Sequence, residues 1–174
     1  SDVYKRQGGA WSKGAGTIVE AVGGTNGNGI YSSRDLKIDG SADITNATGG
    51  ASTDGTGGNG ISSGSMLTIS DSATIKNATG GSGKRGGNGI FGTAMKIISS
   101  TIETAKGGDA TASGKDGGYG IRNHGQFTMS GGTITNAVGG MATGRTGDGG
   151  DGIYCGDTLT IEGGEIQQTT GGEA

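Results

Sequence analysis

The sequence predicts an all-β fold, a single-stranded right-handed parallel β-helix with three short strands in each coil of about 30 residues. Two observations predict it. The chain divides into five aligned units, each opening on a Gly-x-Gly-Ile motif, after one partial unit. Three apolar positions recur in every unit, with the alternation of apolar and polar residues typical of strands that bury one face. Such short strands bury a face only when the units stack coil on coil, and parallel crossovers are almost always right-handed.

The first strand is marked by one isoleucine after the Gly-x-Gly motif. The full units span 27–50, 58–81, 87–108, 118–140 and 150–172, and a partial unit spans 17–24. The isoleucines recur at spacings of 31, 29, 31 and 32 residues: Ile30, Ile61, Ile90, Ile121 and Ile153. Stacking these residues coil on coil predicts a continuous apolar ladder.

The second and third strands follow in each unit. The second is a pair of apolar residues separated by one position: Leu36/Ile38, Leu67/Ile69, Met95/Ile97, Phe127/Met129 and Leu159/Ile161. The third carries another isoleucine: Ile18 in the partial unit, then Ile44, Ile75, Ile102, Ile134 and Ile166. We expect all of these side chains to point inward.

Glycine and asparagine mark the corners. Glycines suit positions with positive φ or close backbone approach. Two asparagine sets recur, one before the Gly-Ile pair (Asn28, Asn59 and Asn88, with Asp151 in the last unit) and one after the third strand (Asn46, Asn77 and Asn136). Asparagine hydrogen-bonds its own backbone or a neighbouring coil, so both sets are predicted to form structural ladders.

The composition agrees with this fold. Glycine accounts for 44 of 174 residues, proline is absent and the net charge is only -3, so the repeat period rather than disorder explains the low apolar content. The mildly acidic balance argues against nucleic acid as a partner. No run of 18 apolar residues is present, so no membrane insertion is expected. One cysteine excludes an internal disulfide.

The ends of the chain need separate treatment. Residues 2–7, DVYKRQ, resemble the translation of an adapter used in preparing sequencing libraries, which would make the chain a fragment of an environmental sequence. We therefore divide the chain into an adapter-like scar and irregular start, 1–16, and a β-helix fragment, 17–174, truncated at both ends. Unpaired strand edges at such ends favour end-to-end self-association.

The repeated pattern GDGIYxxxxLTIxGGxIxxxTGG, seen most clearly from Gly150 to Gly172, resembles the units of bacterial cell-surface β-helix proteins described as carbohydrate-binding domain-containing. The resemblance covers about 17–172. It implies an extracellular or cell-surface location and a glycan, host surface or cell wall as partner. It carries over no ligand-binding residues. Tyr119 departs from the pattern, because it replaces Asn or Asp in the fourth unit.

An outward row follows the first isoleucine of each unit. Its members are Tyr31, Ser62, Phe91, Arg122 and Tyr154. Aromatics two coils apart would lie about 9.6 Å from each other, near the length of a disaccharide, so we interpret Tyr31, Phe91, Arg122 and Tyr154 as a carbohydrate-binding row. The alternative is a structural stack that only shields the corner.

Two further surfaces carry charge. The inserts between units vary in length and hold Lys84, Arg85, Lys115 and Arg145, a secondary candidate surface unless these cations are simply solvated. Asp148, Asp151 and Asp157 lie close together in GDGGDGIYCGD and hint at a weak calcium site. The other units lack these aspartates, so no designed metal site and no cofactor are predicted.

Catalysis is not predicted. Glycoside hydrolysis needs two positioned carboxylates, and the outward rows of the second and third strands carry no carboxylate cluster. His124 and Cys155 have no evident catalytic neighbour in the sequence. Three hypotheses remain: a non-catalytic module that binds carbohydrate, a structural stalk or adhesin segment without its own ligand, and a fragment of a polysaccharide-degrading enzyme whose catalytic residues lie elsewhere.

Overall fold

The computed structural model describes residues 11–174 as one sheet of fourteen strands wound into stacked coils. Every strand pairing is parallel, and no helix occurs within this range. The strands are β1 Trp11–Lys13, β2 Gly16–Val22, β3 Ile30–Ser32, β4 Leu36–Ile38, β5 Ala42–Thr48, β6 Ile61–Ser70, β7 Thr74–Thr79, β8 Ile90–Ile98, β9 Ser100–Lys106, β10 Ile121–Asn123, β11 Phe127–Val138, β12 Ile153–Cys155, β13 Leu159–Ile166 and β14 Thr169–Thr170. The predicted parallel β-helix is confirmed.

The three apolar ladders are confirmed in register. On the first strand, Ile30 pairs with Ile61 and the line continues through Ile90 and Ile121 to Ile153. On the second strand, the predicted pairs align coil by coil from Leu36/Ile38 to Leu159/Ile161. The third-strand isoleucines align from Ile18 to Ile166. Because the repeat length is nearly constant, equivalent residues of successive units lie next to each other in neighbouring coils.

The strands are less separate than the sequence indicates. Only the first full coil has three distinct strands, β3, β4 and β5. In the next two coils the first and second strands merge into β6 and β8, and in the last two the second and third merge into β11 and β13. Register shifts mark the corners within the merged strands, for example between Ser63 and Met66. These shifts have the character of β-bulges, which bend a strand without ending its pairing.

The interior is a stack of apolar side chains. Ile44, Ile69 and Ile75 are fully buried, and burial of each contributes about 1.5–3 kcal/mol. An alanine row that the sequence analysis did not identify lies beside the third-strand isoleucines: Ala21, Ala47, Ala78, Ala105 and Ala137. Each is buried, so small side chains fill this part of the coil.

Close approach between coils explains most corner glycines. A Cβ at Gly81 would fall on the carbonyl oxygen of Gly50 in the preceding coil, and Gly108 meets Gly81 in the same way. Positive φ is confined to a minority of the described glycines, such as Gly132 at 93°. Of the two reasons expected for glycine, tight contact between stacked backbones is therefore the main one.

The predicted asparagine ladder before the Gly-Ile pairs is confirmed. The Oδ1 atom of Asn28 accepts the backbone N–H of Asn59 at 2.8 Å, and the Oδ1 atom of Asn59 accepts the backbone N–H of Asn88 at 2.8 Å. Tyr119 ends the series, because its backbone N–H bonds Asn88 at 3.1 Å but its side chain offers no amide to the next coil. Of the second set, Asn46 and Asn77 bond each other at 3.2 Å. The predicted ladder does not extend to Asn136, because Thr104 lies between Asn77 and Asn136 in register.

The variable inserts form a fourth stacked side of the coil. Isolated parallel bridges join Thr56 to Arg85, Gly83 to Ala110 and Ala110 to Ala142. Backbone hydrogen bonds follow the same order, for example from the N–H of Gly83 to the carbonyl of Asp109 at 3.1 Å. The inserts lie along one edge as expected, but they are ordered by pairing with one another.

Both ends of the described segment are relevant to the sequence predictions. Strand β1 pairs with β4, so regular pairing begins within the stretch 1–16 that was expected to be irregular. The adapter-like residues 2–7 lie outside the described residues.

In the last coil, the apolar side chains of Leu159 and Ile161 are 41% and 52% exposed. End-to-end association through such a surface stays a prediction. Residues 11–174 include no helix with the length and apolarity of a membrane span.

Candidate functional site

The outward row of the first strand is continuous across five coils. Tyr31 pairs with Ser62, Ser62 with Phe91, Phe91 with Arg122 and Arg122 with Tyr154. Tyr31, Phe91 and Arg122 are half-buried, Tyr154 is 36% exposed, and Ser62 alone in the row is buried. Since neighbouring coils lie about 4.8 Å apart, this geometry places partly accessible aromatic side chains on alternate coils.

Arg122 and Tyr154 of the row form a cluster with Tyr119, which lies outside the row, here called the Tyr-Arg cluster. The two tyrosine rings lie 5.0 Å apart between centroids, tilted by 36°. The Cζ atom of Arg122 lies 5.0 Å from the Tyr119 ring centroid and 5.8 Å from that of Tyr154. Both distances fall within the range of a cation–π contact, so the rings hold the guanidinium in place.

Tyr119 was not identified as a site residue by sequence reasoning. One feature of the sequence could have identified it: Tyr119 replaces the Asn or Asp found at this position in the other units. A tyrosine there does not continue the asparagine ladder, so its side chain can make other contacts. Burial raises the pKa of Tyr119 above its ordinary value, although the Arg122 cation acts in the opposite direction. A tyrosine phenol is already protonated at neutral pH, so the Tyr119 hydroxyl is available as a hydrogen-bond donor.

Phe91 makes a different contact. Its ring meets that of His124 edge to face, with centroids 5.1 Å apart and an interplanar angle of 88°. His124 itself is exposed and comes from the following coil. This contact fixes the orientation of the Phe91 ring while leaving part of it accessible.

A small pocket adjoins the Tyr-Arg cluster. It has a volume of about 90 Å³ and is lined by Arg85, Asn88, Asp116, Tyr119 and Arg122 with intervening glycines. The Nε atom of Arg122 is buried and has no hydrogen-bond partner among the described residues. A buried donor without an acceptor costs about 1–3 kcal/mol, so an acceptor that enters here is stabilising.

Three of the four predicted loop cations come together. Lys84, Arg85 and Lys115 line an open pocket of about 240 Å³ beside Asp54. Arg145 lies apart from them, in a depression at the last coil that includes Glu173. Arg85 lines both this pocket and the smaller one, so the secondary loop surface and the aromatic row are adjacent.

The remaining candidate residues form no chemical centre. Within residues 11–174, no three His, Cys, Asp or Glu side chains are arranged to hold a metal ion, so Asp148, Asp151 and Asp157 do not converge. The Cys155 Sγ atom lies 3.3 Å from the carbonyl oxygen of Gly125, and the Asn123 amide also contacts it at 3.9 Å. Both contacts are those of a residue that fills a corner.

A comparison of the chain with protein-family profiles, curated proteins and solved structures finds no match.

Proposed function

We propose that the protein is a non-catalytic β-helix module that binds carbohydrate along the outward row of its first strand. The observation that carries this proposal is the alignment of Tyr31, Phe91 and Tyr154 in one register line, on alternate coils, with none of the three buried. Neighbouring aromatics in the line are about 9.6 Å apart, near the length of a disaccharide, a spacing that suits every second sugar unit of an extended chain.

The chemistry of the row fits a sugar ligand. The apolar C–H face of a pyranose packs on an aromatic ring, and its hydroxyls need polar partners at the edge. Arg122 supplies such donors in a fixed orientation, because Tyr119 and Tyr154 flank its guanidinium. Rings that are already held by neighbours lose little conformational entropy when a ligand binds.

The proposal includes an extracellular or cell-surface location, which rests on the resemblance of the repeats to surface β-helix proteins. An extended row on a rigid coil suits a partner that is itself extended, such as a polysaccharide of a host surface or a cell wall.

The test is a glycan-array screen of the parent protein beside the triple variant Tyr31→Ala, Phe91→Ala, Tyr154→Ala. A matched control, Val19→Ala, Ile98→Ala, Met141→Ala, removes other exposed apolar side chains, which are 67%, 38% and 43% accessible. Circular dichroism and thermal melting establish that all three proteins are folded. We expect the parent and control to bind a common set of glycans and the triple variant to lose them.

A structural role is the second candidate, and one observation favours it. Phe91 contacts His124, and Tyr119 contacts Tyr154, so part of each aromatic surface is already satisfied within the protein. If the row only braces the coils, the parent binds no glycan and the triple variant melts at a markedly lower temperature than the control. That result would favour a stalk or adhesin segment without a ligand of its own.

A further inference from the structure

We infer that the ligand of this face is an acidic polysaccharide whose carboxylates are bound by Arg122 and Arg85, with Lys84 and Lys115 continuing the contact along the stacked inserts. The inference rests on the proposed function and specifies its ligand class. Four groups define the surface, here called the basic strip: Lys84, Arg85, Lys115 and Arg122.

Continuity is the first argument. Arg122 belongs to the aromatic row and also lines the pocket of about 90 Å³. Arg85 also lines that pocket, and it borders the open pocket of about 240 Å³ that is lined by Lys84 and Lys115. A chain whose sugar ring stacks on Tyr154 can therefore place a carboxylate between two guanidinium groups without leaving the surface.

The cations of the strip are weakly neutralised. Lys84 lies 3.9 Å from Asp54, and Arg85 lies 4.0 Å from Asp116, at the outer limit of an ion pair. On the other faces, Lys37 and Lys76 approach their aspartates to 2.6 and 2.9 Å. Lys115 and Arg122 form no ion pair with any described residue. Loose surface pairs contribute little to stability, so a ligand carboxylate displaces them at low cost.

The Arg122 side chain has a hydrogen-bond donor available for an oxygen ligand. Its Nε–H is buried and lacks an acceptor, while its guanidinium lies over both tyrosine rings. A carboxylate accepts two parallel N–H bonds from a guanidinium, which an uncharged hydroxyl does not. The pocket volume of about 90 Å³ accommodates a group of carboxylate size.

The charge of the rest of the chain limits which polyanion the strip can bind. The net charge is -3, and 146–174 contain six acidic residues and neither lysine nor arginine. The positive strip is therefore a local feature beside an acidic coil that repels every polyanion. The repulsion is greater for the dense phosphates of a nucleic acid than for an acidic polysaccharide, whose sparser charges alternate with rings that can stack on the aromatic row.

The experiment compares acidic polymers with their neutralised counterparts. Polygalacturonate, alginate and hyaluronan are each tested beside their carboxyl-methylated forms by isothermal titration, at low and at physiological ionic strength. Single-stranded DNA serves as a polyanion control. The proteins are the parent, Arg85→Gln with Arg122→Gln, and a matched control, Lys96→Gln, which removes one exposed charge from the outward side of the second strand.

We expect one or more acidic polymers to bind the parent at least about tenfold more tightly than the methylated form, and the double arginine variant to lose about tenfold in affinity. The Lys96→Gln variant should bind like the parent. Equal binding of acid and ester would overturn the acidic ligand and leave carbohydrate binding intact. DNA binding of similar strength, or an equal loss in Lys96→Gln, would show unselective charge attraction and overturn the inference. Failure of every acidic and neutral glycan would overturn the proposed function with it.

Discussion

At the scale of single residues, hydrogen-bonded side chains join neighbouring coils in addition to the backbone pairing. The Oδ1 atom of Asn59 accepts both the backbone N–H and the side-chain amide of Asn88, each at 2.8 Å. Asn88 is 8% exposed, so both donors would be stranded away from solvent if their acceptor were removed. We predict that Asn59→Ala lowers the free energy of unfolding by about 1–3 kcal/mol in urea titrations.

The conservative variant Asn59→Asp is the control, because it keeps an acceptor at the same position and the last unit already carries Asp151 there. It should lie much closer to the parent than the alanine variant does. An alanine variant within about 0.5 kcal/mol of the parent would mean that the ladder contributes no stability.

The residues of the site were predictable to different degrees. The row of Tyr31, Phe91, Arg122 and Tyr154 followed from its place next to the repeating isoleucines, because alternation along a strand fixes which way a side chain points. The contact of Phe91 with His124 did not follow, because these residues occupy different positions in successive units. Their meeting depends on side-chain rotamers, and no repeat pattern encodes those.

At the scale of elements, stacked glycine corners bring consecutive coils into contact. Gly81 has the carbonyl oxygen of Gly50 where its own Cβ would stand, whereas a Cβ at Gly24 would meet no described atom within 4 Å. We predict that Gly81→Ala destabilises the protein by about 1–3 kcal/mol or more, because the backbones of two coils must separate. Gly24→Ala should be nearly neutral, as judged by the midpoint of urea unfolding.

An equal effect of the two glycine substitutions would contradict this account, since it would assign the cost to backbone entropy rather than to contact between coils. The glycine positions themselves were evident from the sequence. The merging of β6, β8, β11 and β13 through their corners was not, because a bulge and a strand break differ by only a few backbone hydrogen bonds. The stacking of the inserts was also missed, because their lengths differ and they share no apolar period.

At the scale of the whole molecule, the sequence repeat made the fold predictable. The repeat says less about function, because the candidate binding surface combines residues from different parts of the unit. A spacing of about 31 residues, as between Ile30 and Ile61, sets the coil, and each coil needs only its neighbours. The basic strip arises from residues of two kinds of segment, the inserts and the first strand. From the sequence, Arg122 was assigned to the aromatic row, whereas Arg85 and Lys115 were assigned to a second surface on the inserts. The winding of the coil brings these residues to one surface.

The central claim is that the outward row of the first strand is where carbohydrate binds. The measurement that tests it most directly is a two-dimensional NMR titration of the isotope-labelled protein. The titrant is the glycan that the protein binds most strongly on the array. We predict the largest chemical-shift changes at Tyr31, Phe91, Arg122 and Tyr154, with the amides of the second-strand face around Thr68 and Lys96 unmoved. Shifts confined to that second-strand face, or no shifts with any glycan, would contradict the claim.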